Sequence, residues 1–500
     1  MIQMDKIRIK NLFKNRKNHQ VKPVSEIDIL VIESFSFTPH LETAGEIAVR
    51  QARLGKKTAF SYIDANNPDD ALPFKNILFG ASKRRKFEEI SKILSKHNID
   101  IIKLIPLPES IINDIKSFTL IQPQNVEELK TLTYKDARLG LGIASSLISH
   151  TKEPYPDLNL HRSLLKQYMK ASAFTYEYAY QLIKRYKPTK IVVFNGRFAC
   201  AKSIVEAGLQ LGVSILFHER GADYRRFSIH PQQCHDFAYV RKFIRESWQQ
   251  GDQNREIVAR NFFERKKQGD GISWKSFTDA QNMGYVPKRK LPRRLVYFSS
   301  SDDEFTSIGE LIQQPLFPSQ REAVNFLIRW VSFKTDTELI IRVHPHLREK
   351  AKTERDWWNN LSGSNLLTIP ADSAVDSYAL ADSADIVLSY GSTMGVESAY
   401  LGKPSILMGD SDYRGLGCSY EPGSVSELIQ LIENKNLPSL PSENALPYGF
   451  YAMTMGELYN FYEPTSLFDG SFMGVKLSYE RQWVRGLKRT QLFKWIKNRV

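Results

Sequence analysis

A chain of 500 residues is too long for one ordinary core and predicts two domains of about 200 residues each, with extensions. Its 42% hydrophobic, 25% charged and 11% aromatic residues are a globular composition that argues against a disordered or fibrous chain. The net charge of +14 sits at the ends, +6 in residues 1–22 and +7 in 481–500, which leaves +1 for the 458 residues between and argues against a broad nucleic-acid groove.

Residues 1–25 read as a basic arm without the continuous apolar core of a secretory signal. Apolar runs elsewhere stay well below the ~18 residues a membrane span needs. The two basic ends are expected to meet an anionic membrane surface. The last twenty residues mix Trp483, Leu487, Leu492, Phe493, Trp495 and Ile496 with cations, as interfacial helices do, although a helix packed on the body fits the same pattern. Cys200, Cys234 and Cys418 are scattered, so neither a disulfide framework nor a cysteine zinc site is expected, and the compartment reads as reducing.

From residue 26 onward strand and helix signals alternate. Ile27–Glu33 reads as a buried strand, Leu41–Leu54 as a helix ending at Gly55, and Lys57–Ile63 as the next strand. Further strands are expected at Ile99–Leu104, Lys190–Asn195 and Val213–Phe217, among helices at Leu164–Tyr186 and Ala199–Leu211. The stretch from 107 to 160 shows no regular pattern. The alternation predicts a first α/β domain over 26–285, a parallel sheet covered by helices.

The basic, proline-containing segment from residue 286 to 294 reads as a linker into a second α/β domain ending near 440. Its strands are expected at Leu295–Ser299, Leu339–Val343, Leu366–Ile369, Ile386–Tyr390 and Ser405–Met408, with the longest helix at Gln320–Phe333. Residues 441–500 turn aromatic and irregular and are expected to cross back onto the first domain before the basic C-terminal helix. Two α/β halves place a cleft at the carboxyl ends of both sheets, where chemistry is expected.

Three segments reach that cleft. A strand runs into Tyr390–Gly391–Ser392–Thr393, then Gly395 and a helix start carrying Glu397. Free amides at a helix start with the hydroxyls of Ser392 and Thr393 suit a phosphate, with Gly391 allowing close approach and Glu397 accepting from ribose hydroxyls. Simple capping of the helix is the alternative. His344–Pro345 ends a strand where an imidazole can donate to a phosphate oxygen and, if cationic, neutralise leaving-group charge. Val213–Phe217 runs into His218–Glu219–Arg220–Gly221, so Glu219 is expected at a strand end, as a base for an acceptor hydroxyl or as part of a solvated loop. His218 and Arg220 are candidate neighbours for it.

His40 and Glu42 lie at a helix start and either contact an acceptor or cap the helix. Asp302, Asp303 and Glu304 in a row cannot all face one point, and no metal is expected. Zincin, P-loop, nucleophile-elbow and dinucleotide fingerprints are absent from the sequence.

The set of HERG at 218–221, RVHPH at 342–346 and DIVLSYGSTMGVESAYLGKPSIL at 385–407 resembles the capsule polysaccharide biosynthesis family of GT-B glycosyltransferases, which includes Kdo transferases and looks distantly like bacterial sialyltransferases. The resemblance implies an α/β fold of two Rossmann-like domains facing across a cleft. It implies metal-independent inverting transfer from a nucleotide-sugar donor, CMP- or UDP-linked, to a glycan or glycolipid acceptor, without a cofactor. His344, Ser392 and Thr393 would bind the donor phosphate and Glu219 would be the base, although Arg220 stands where related sialyltransferases carry an acid. A cytoplasmic protein, peripheral at the inner membrane face, is the implied location. A nucleotide-sugar 2-epimerase of the same fold and a non-catalytic scaffold are the alternatives.

Overall fold

The computed structural model describes residues 26–73, 80–270, 281–311 and 316–480. The basic N-terminal arm and the basic C-terminal helix lie outside them.

Buried apolar runs such as Ile29–Glu33, fully covered on both faces, form parallel strands because only a sheet sandwiched by helices hides both of their sides. In the first sheet these are β1 (Ile29–Glu33), β2 (Thr58–Tyr62), β3 (Asp100–Ile101), β4 (Lys190–Phe194) and β5 (Ser214–Arg220). Antiparallel β6 (Arg226–His230) adds to β5 at one edge. The second sheet holds β7 (Arg293–Phe298), β8 (Thr337–Arg342), β9 (Leu366–Ile369), β10 (Ile386–Ser389) and β11 (Ser405–Leu407), all parallel.

The strand orders are the informative feature. The first sheet reads β12-β6-β5-β4-β1-β2-β3 and the second β11-β10-β7-β8-β9, with β12 spanning Glu457–Leu458. In each, the first parallel strand lies between the second and the fourth, the doubly wound order with its switch point there. The two halves are therefore Rossmann-like domains, and the end of β4 meets the second domain where Arg197 donates to the hydroxyl of Ser307. This is the GT-B architecture.

The helices Leu139–Thr151, Arg162–Tyr186 and Ala199–Gln210 pack on one face of the first sheet. The first of these lies in the stretch where the sequence shows no regular pattern. His40–Arg53 and Lys83–Ser95 cover the other face. Helices Phe237–Gln250 and Arg255–Lys267, which the sequence reading assigns to the first domain, pack through Ile244, Phe262 and Phe263 against Val396 and Tyr413 of the second domain and Tyr448 of helix Leu446–Thr454.

Beyond that helix the chain returns to the first sheet. β12 pairs with β6, and the hairpin β13–β14 (Tyr462–Ser466, Asp469–Phe472) lies over helix His40–Arg53. Glu46, wholly buried in that helix, anchors the return: its carboxylate accepts the backbone N–H groups of Asn460, Phe461 and Tyr462 at 2.9, 2.7 and 2.9 Å. Among the described residues no helix is long and apolar enough to cross a membrane.

One expectation changes. β5 does not stop at Phe217 but runs through Arg220, because β6 pairs with it from Phe217 to Arg220. His218 and Glu219 are thus strand residues on opposite faces of the sheet, not members of one loop.

Candidate functional site

The switch point of the second sheet lies between β7 and β10, and a cleft opens there. His344, Ser392, Thr393 and Glu397 all line it. With them stand Ser299, which follows β7, and Arg342, the last residue of β8.

The imidazole is held by its neighbours. The backbone N–H of His344 donates to Ser299 Oγ at 2.8 Å, and its ring Nδ1 accepts the backbone N–H of His346 at 3.1 Å. An accepting Nδ1 leaves the proton of the neutral ring on Nε2. Burial, with His346 and Arg342 nearby, pushes its pKa down to about 3. His344 is therefore a neutral N–H donor at physiological pH, which corrects the cationic role considered from the sequence.

Positive charge comes instead from Arg342. Its side chain is 1% exposed, donating to the carbonyls of Pro370 (2.5 Å) and Ser373 (3.3 Å), while Nε has no hydrogen-bond partner. No carboxylate ion-pairs with it among the described residues. Burial lowers its pKa to about 10, so the guanidinium stays charged at pH 7. Lys266 adds a second cation from helix Arg255–Lys267.

Ser392 Oγ accepts the Met394 N–H at a long 3.4 Å, and Thr393, at the start of helix Met394–Tyr400, makes no capping bond. Capping thus uses little of either hydroxyl. Gly391 does not line the cleft. A Cβ there would stand 2.4 Å from the Phe305 ring and 2.6 Å from the Asp410 carbonyl, so glycine is required for packing rather than for approach of a ligand. Glu397, almost fully buried, accepts the Tyr378 hydroxyl, and that phenol is pushed far up by burial and by the carboxylate.

The first-domain candidates form other groups, and none lines this cleft. Glu219 is half-buried, with Oε2 accepting from Asn195 Nδ2 at 2.6 Å and Oε1 from the Arg220 N–H at 2.9 Å. Asn195, directly after β4, sits in the left-handed region at φ 56°. Its Oδ1 accepts the Arg197 N–H at 3.1 Å, which orients the amide, and its Nδ2 also lies 3.3 Å from His235 Nε2. Burial and Arg197 push His235 down to about 3.

On the opposite face His218 is completely buried, 3.2 Å from the Glu33 carboxylate, whose other oxygen accepts the N–H groups of Ser34 and Phe35. It faces away from Glu219. His40 packs its ring 3.9 Å from that of Phe194, and burial followed by Arg220 and His218 lowers its pKa well below normal. Glu42 is locked in a buried ion pair with Lys86 at 2.8 Å and accepts from the Thr38 hydroxyl. Arg220 lies 4.8 Å over the Phe468 ring.

Sequence reasoning missed Arg342, Ser299, Lys266 and Tyr378 in the cleft, and Asn195 and His235 beside Glu219. A charged residue closing the apolar run LIIRV was a legible signal for Arg342. Among the described residues no three His, Cys, Asp or Glu side chains converge to hold a metal.

No family model and no curated protein matches the chain. Among solved structures it is similar to the KpsC beta Kdo 2,4 transferase of Thermosulfurimonas dismutans at 14% identity, over 53% of this chain and 79% of that one, with a TM-score of 0.35. The KpsC beta Kdo 2,7 transferase of the same organism matches at 14% identity over 63% of this chain and 90% of that one, TM-score 0.35. The UDP-GlcNAc 2-epimerase of Neisseria meningitidis, bound to UDP-GlcNAc, matches at 10% identity over 85% and 97%, TM-score 0.29.

Proposed function

We propose that the protein is an inverting, metal-independent glycosyltransferase that moves a sugar from a CMP- or UDP-linked donor to a growing surface glycan. The observation that carries this reading is Arg342. A buried guanidinium that hydrogen-bonds to carbonyls, with Asp372 acting on it only from beyond ion-pair distance, favours a bound anion, and it lies at a switch point beside an imidazole N–H and two hydroxyls. A nucleotide phosphate satisfies that set, and Glu397 with Tyr378 offers polar groups to its ribose.

In the transfer, Glu219 takes the proton of an acceptor hydroxyl as that oxygen bonds the anomeric carbon. The bond from that carbon to the phosphate oxygen breaks, and its electron pair leaves with the nucleotide. Arg342, Lys266 and the Nε2–H of His344 stabilise the charge that develops on the phosphate. Asn195 holds the Glu219 carboxylate in place for this step. The basic ends bring the enzyme to an anionic membrane where a lipid-borne glycan grows.

The test is release of free nucleotide from CMP- and UDP-linked sugars by the full chain, with wild type and Glu219→Gln side by side. Release by the wild type and its loss in the glutamine variant, which still binds nucleotide, is the expected result. Conversion of UDP-N-acetylglucosamine to its 2-epimer without net release would instead make the protein an epimerase.

A further inference from the structure

β4 ends beside β1 at the switch point of the first sheet, and the chain leaves it through Asn195 and Gly196, both left-handed at φ 56° and 81°. Asparagine adopts that region more readily than most side chains. At Gly196 a Cβ would also stand 2.5 Å from the Phe217 ring, so only glycine fits. The turn delivers Arg197 with its backbone N–H on the Asn195 amide and its guanidinium across the domain boundary.

We infer that Arg197 is a positioning residue that makes the orientation of Glu219 depend on where the second domain lies. It does so by holding the Asn195 amide with its backbone and Ser307 with its side chain. The inference rests on the reading of Glu219 as the base, and adds what aligns that base with the donor.

The Asn195 amide serves two partners. Its Oδ1 accepts the Arg197 N–H at 3.1 Å, and its Nδ2 donates to Glu219 Oε2 at 2.6 Å. Both atoms belong to one planar group, so an amide that turns with Arg197 carries the donor to Glu219 with it. The other Glu219 oxygen accepts from Arg220, the next residue of its own strand. The orientation of the carboxylate relative to the rest of the site is therefore set through Asn195.

The other end of Arg197 reads the second domain. Its guanidinium lies 4.5 Å from the centroid of the Phe198 ring, and Nη1 donates to the buried hydroxyl of Ser307. A charged donor makes a hydrogen bond about twice as strong as a neutral one, and the ring beneath restricts where the guanidinium can go.

Ser307 is well placed to report on the donor site. Its helix, Asp302–Ile308, also carries Phe305, whose ring lies 5.7 Å from that of Tyr390 and against Gly391. Gly391 directly precedes Ser392 of the donor cleft. One helix thus touches the donor loop through Phe305 and reaches the base through Ser307, Arg197 and Asn195. In this arrangement of the domains the loop and the base are aligned together, and loss of the Ser307 contact uncouples them. A contact that only fastened the domains would change stability or donor affinity and leave turnover of the bound donor alone.

The experiment measures kcat and KM for nucleotide release from CMP- and UDP-linked sugars by the full chain. The variants are Arg197→Met, Arg197→Lys, Ser307→Ala, Asn195→Ala, the Ser307→Ala/Asn195→Ala double variant and Glu219→Gln, with thermal unfolding as the check on folding. Arg197→Met should lower kcat about tenfold and Ser307→Ala about fivefold with KM little changed, and Arg197→Lys, which keeps a cationic donor, should recover most of the loss. The double variant should be no slower than Asn195→Ala, because without the amide the Ser307 contact has nothing to align. Losses that multiply in the double variant, or changes confined to KM or to the melting temperature, overturn the inference and leave Glu219 as the base. Undiminished release by Glu219→Gln, or no release by the wild type, overturns instead the reading on which the inference rests, so the two failures are distinguishable.

Discussion

Replacing Asp302 by asparagine should stabilise the unliganded protein, and do so only above acid pH. Burial, reinforced by Glu354 and Asp303 and opposed by Gln320 and Arg321, raises the Asp302 pKa from 3.8 to about 7. The folded state therefore holds a proton on Asp302 between about pH 4 and 7 that the unfolded chain has released. Stability from this group is full below about pH 4 and is lost as pH rises toward 7, because the unfolded state binds fewer protons there. A rise of about three pKa units corresponds to about 4 kcal/mol at pH 8. Asparagine is neutral throughout and keeps an oxygen for Gln320. Urea unfolding of wild type and Asp302→Asn should differ by a few kcal/mol at pH 8 and by close to nothing at pH 4. Parallel curves at the two pH values would refute the argument that burial holds the Asp302 carboxyl in its neutral form below about pH 7.

Glu46→Ala strips three backbone N–H groups of their acceptor and should destabilise the protein by about 3–9 kcal/mol, at about 1–3 kcal/mol per orphaned donor, read from denaturant unfolding. An effect below 1 kcal/mol would mean that water replaces the carboxylate. The ¹⁵N shifts of the His344 ring should report a neutral imidazole protonated on Nε2 from pH 5 to 8 in the free protein, and titration near pH 6.5 would contradict the buried geometry. Asn195→Ala should lower kcat for nucleotide release by at least tenfold with little change in KM, since the amide positions Glu219 without touching the donor cleft. A change confined to KM would move Asn195 to the binding site.

Both sheets were legible because parallel strands covered on two faces leave unbroken apolar runs. Leu366–Ile369 has the bounds read from sequence, and the other strands of the second sheet lie within two residues of them. β5 was cut short since His218, Glu219 and Arg220 look like a polar loop, while an antiparallel neighbour and a buried Glu33 partner make them strand. The helices 237–267 carry an apolar face that fits either domain, and the sequence does not say which surface receives it. In the site, His344, Ser392, Thr393 and Glu397 were found because glycine, proline and hydroxyl residues mark strand ends. Lys266 could not be found this way, since it reaches the cleft from a distant helix. His218 and Glu42 looked available and are instead held in buried pairs with Glu33 and Lys86.

The claim that Arg342 and His344 form a nucleotide-phosphate site is tested most directly by thermal unfolding with CMP, CDP, UDP and GDP, comparing wild type with Arg342→Met and His344→Ala. A ligand at a hundred times its Kd adds about 2.7 kcal/mol to the native state. One nucleotide should raise the wild-type midpoint and leave both variants unmoved or nearly so. A shift of equal size in all three proteins, or in none at millimolar nucleotide, would contradict the assignment.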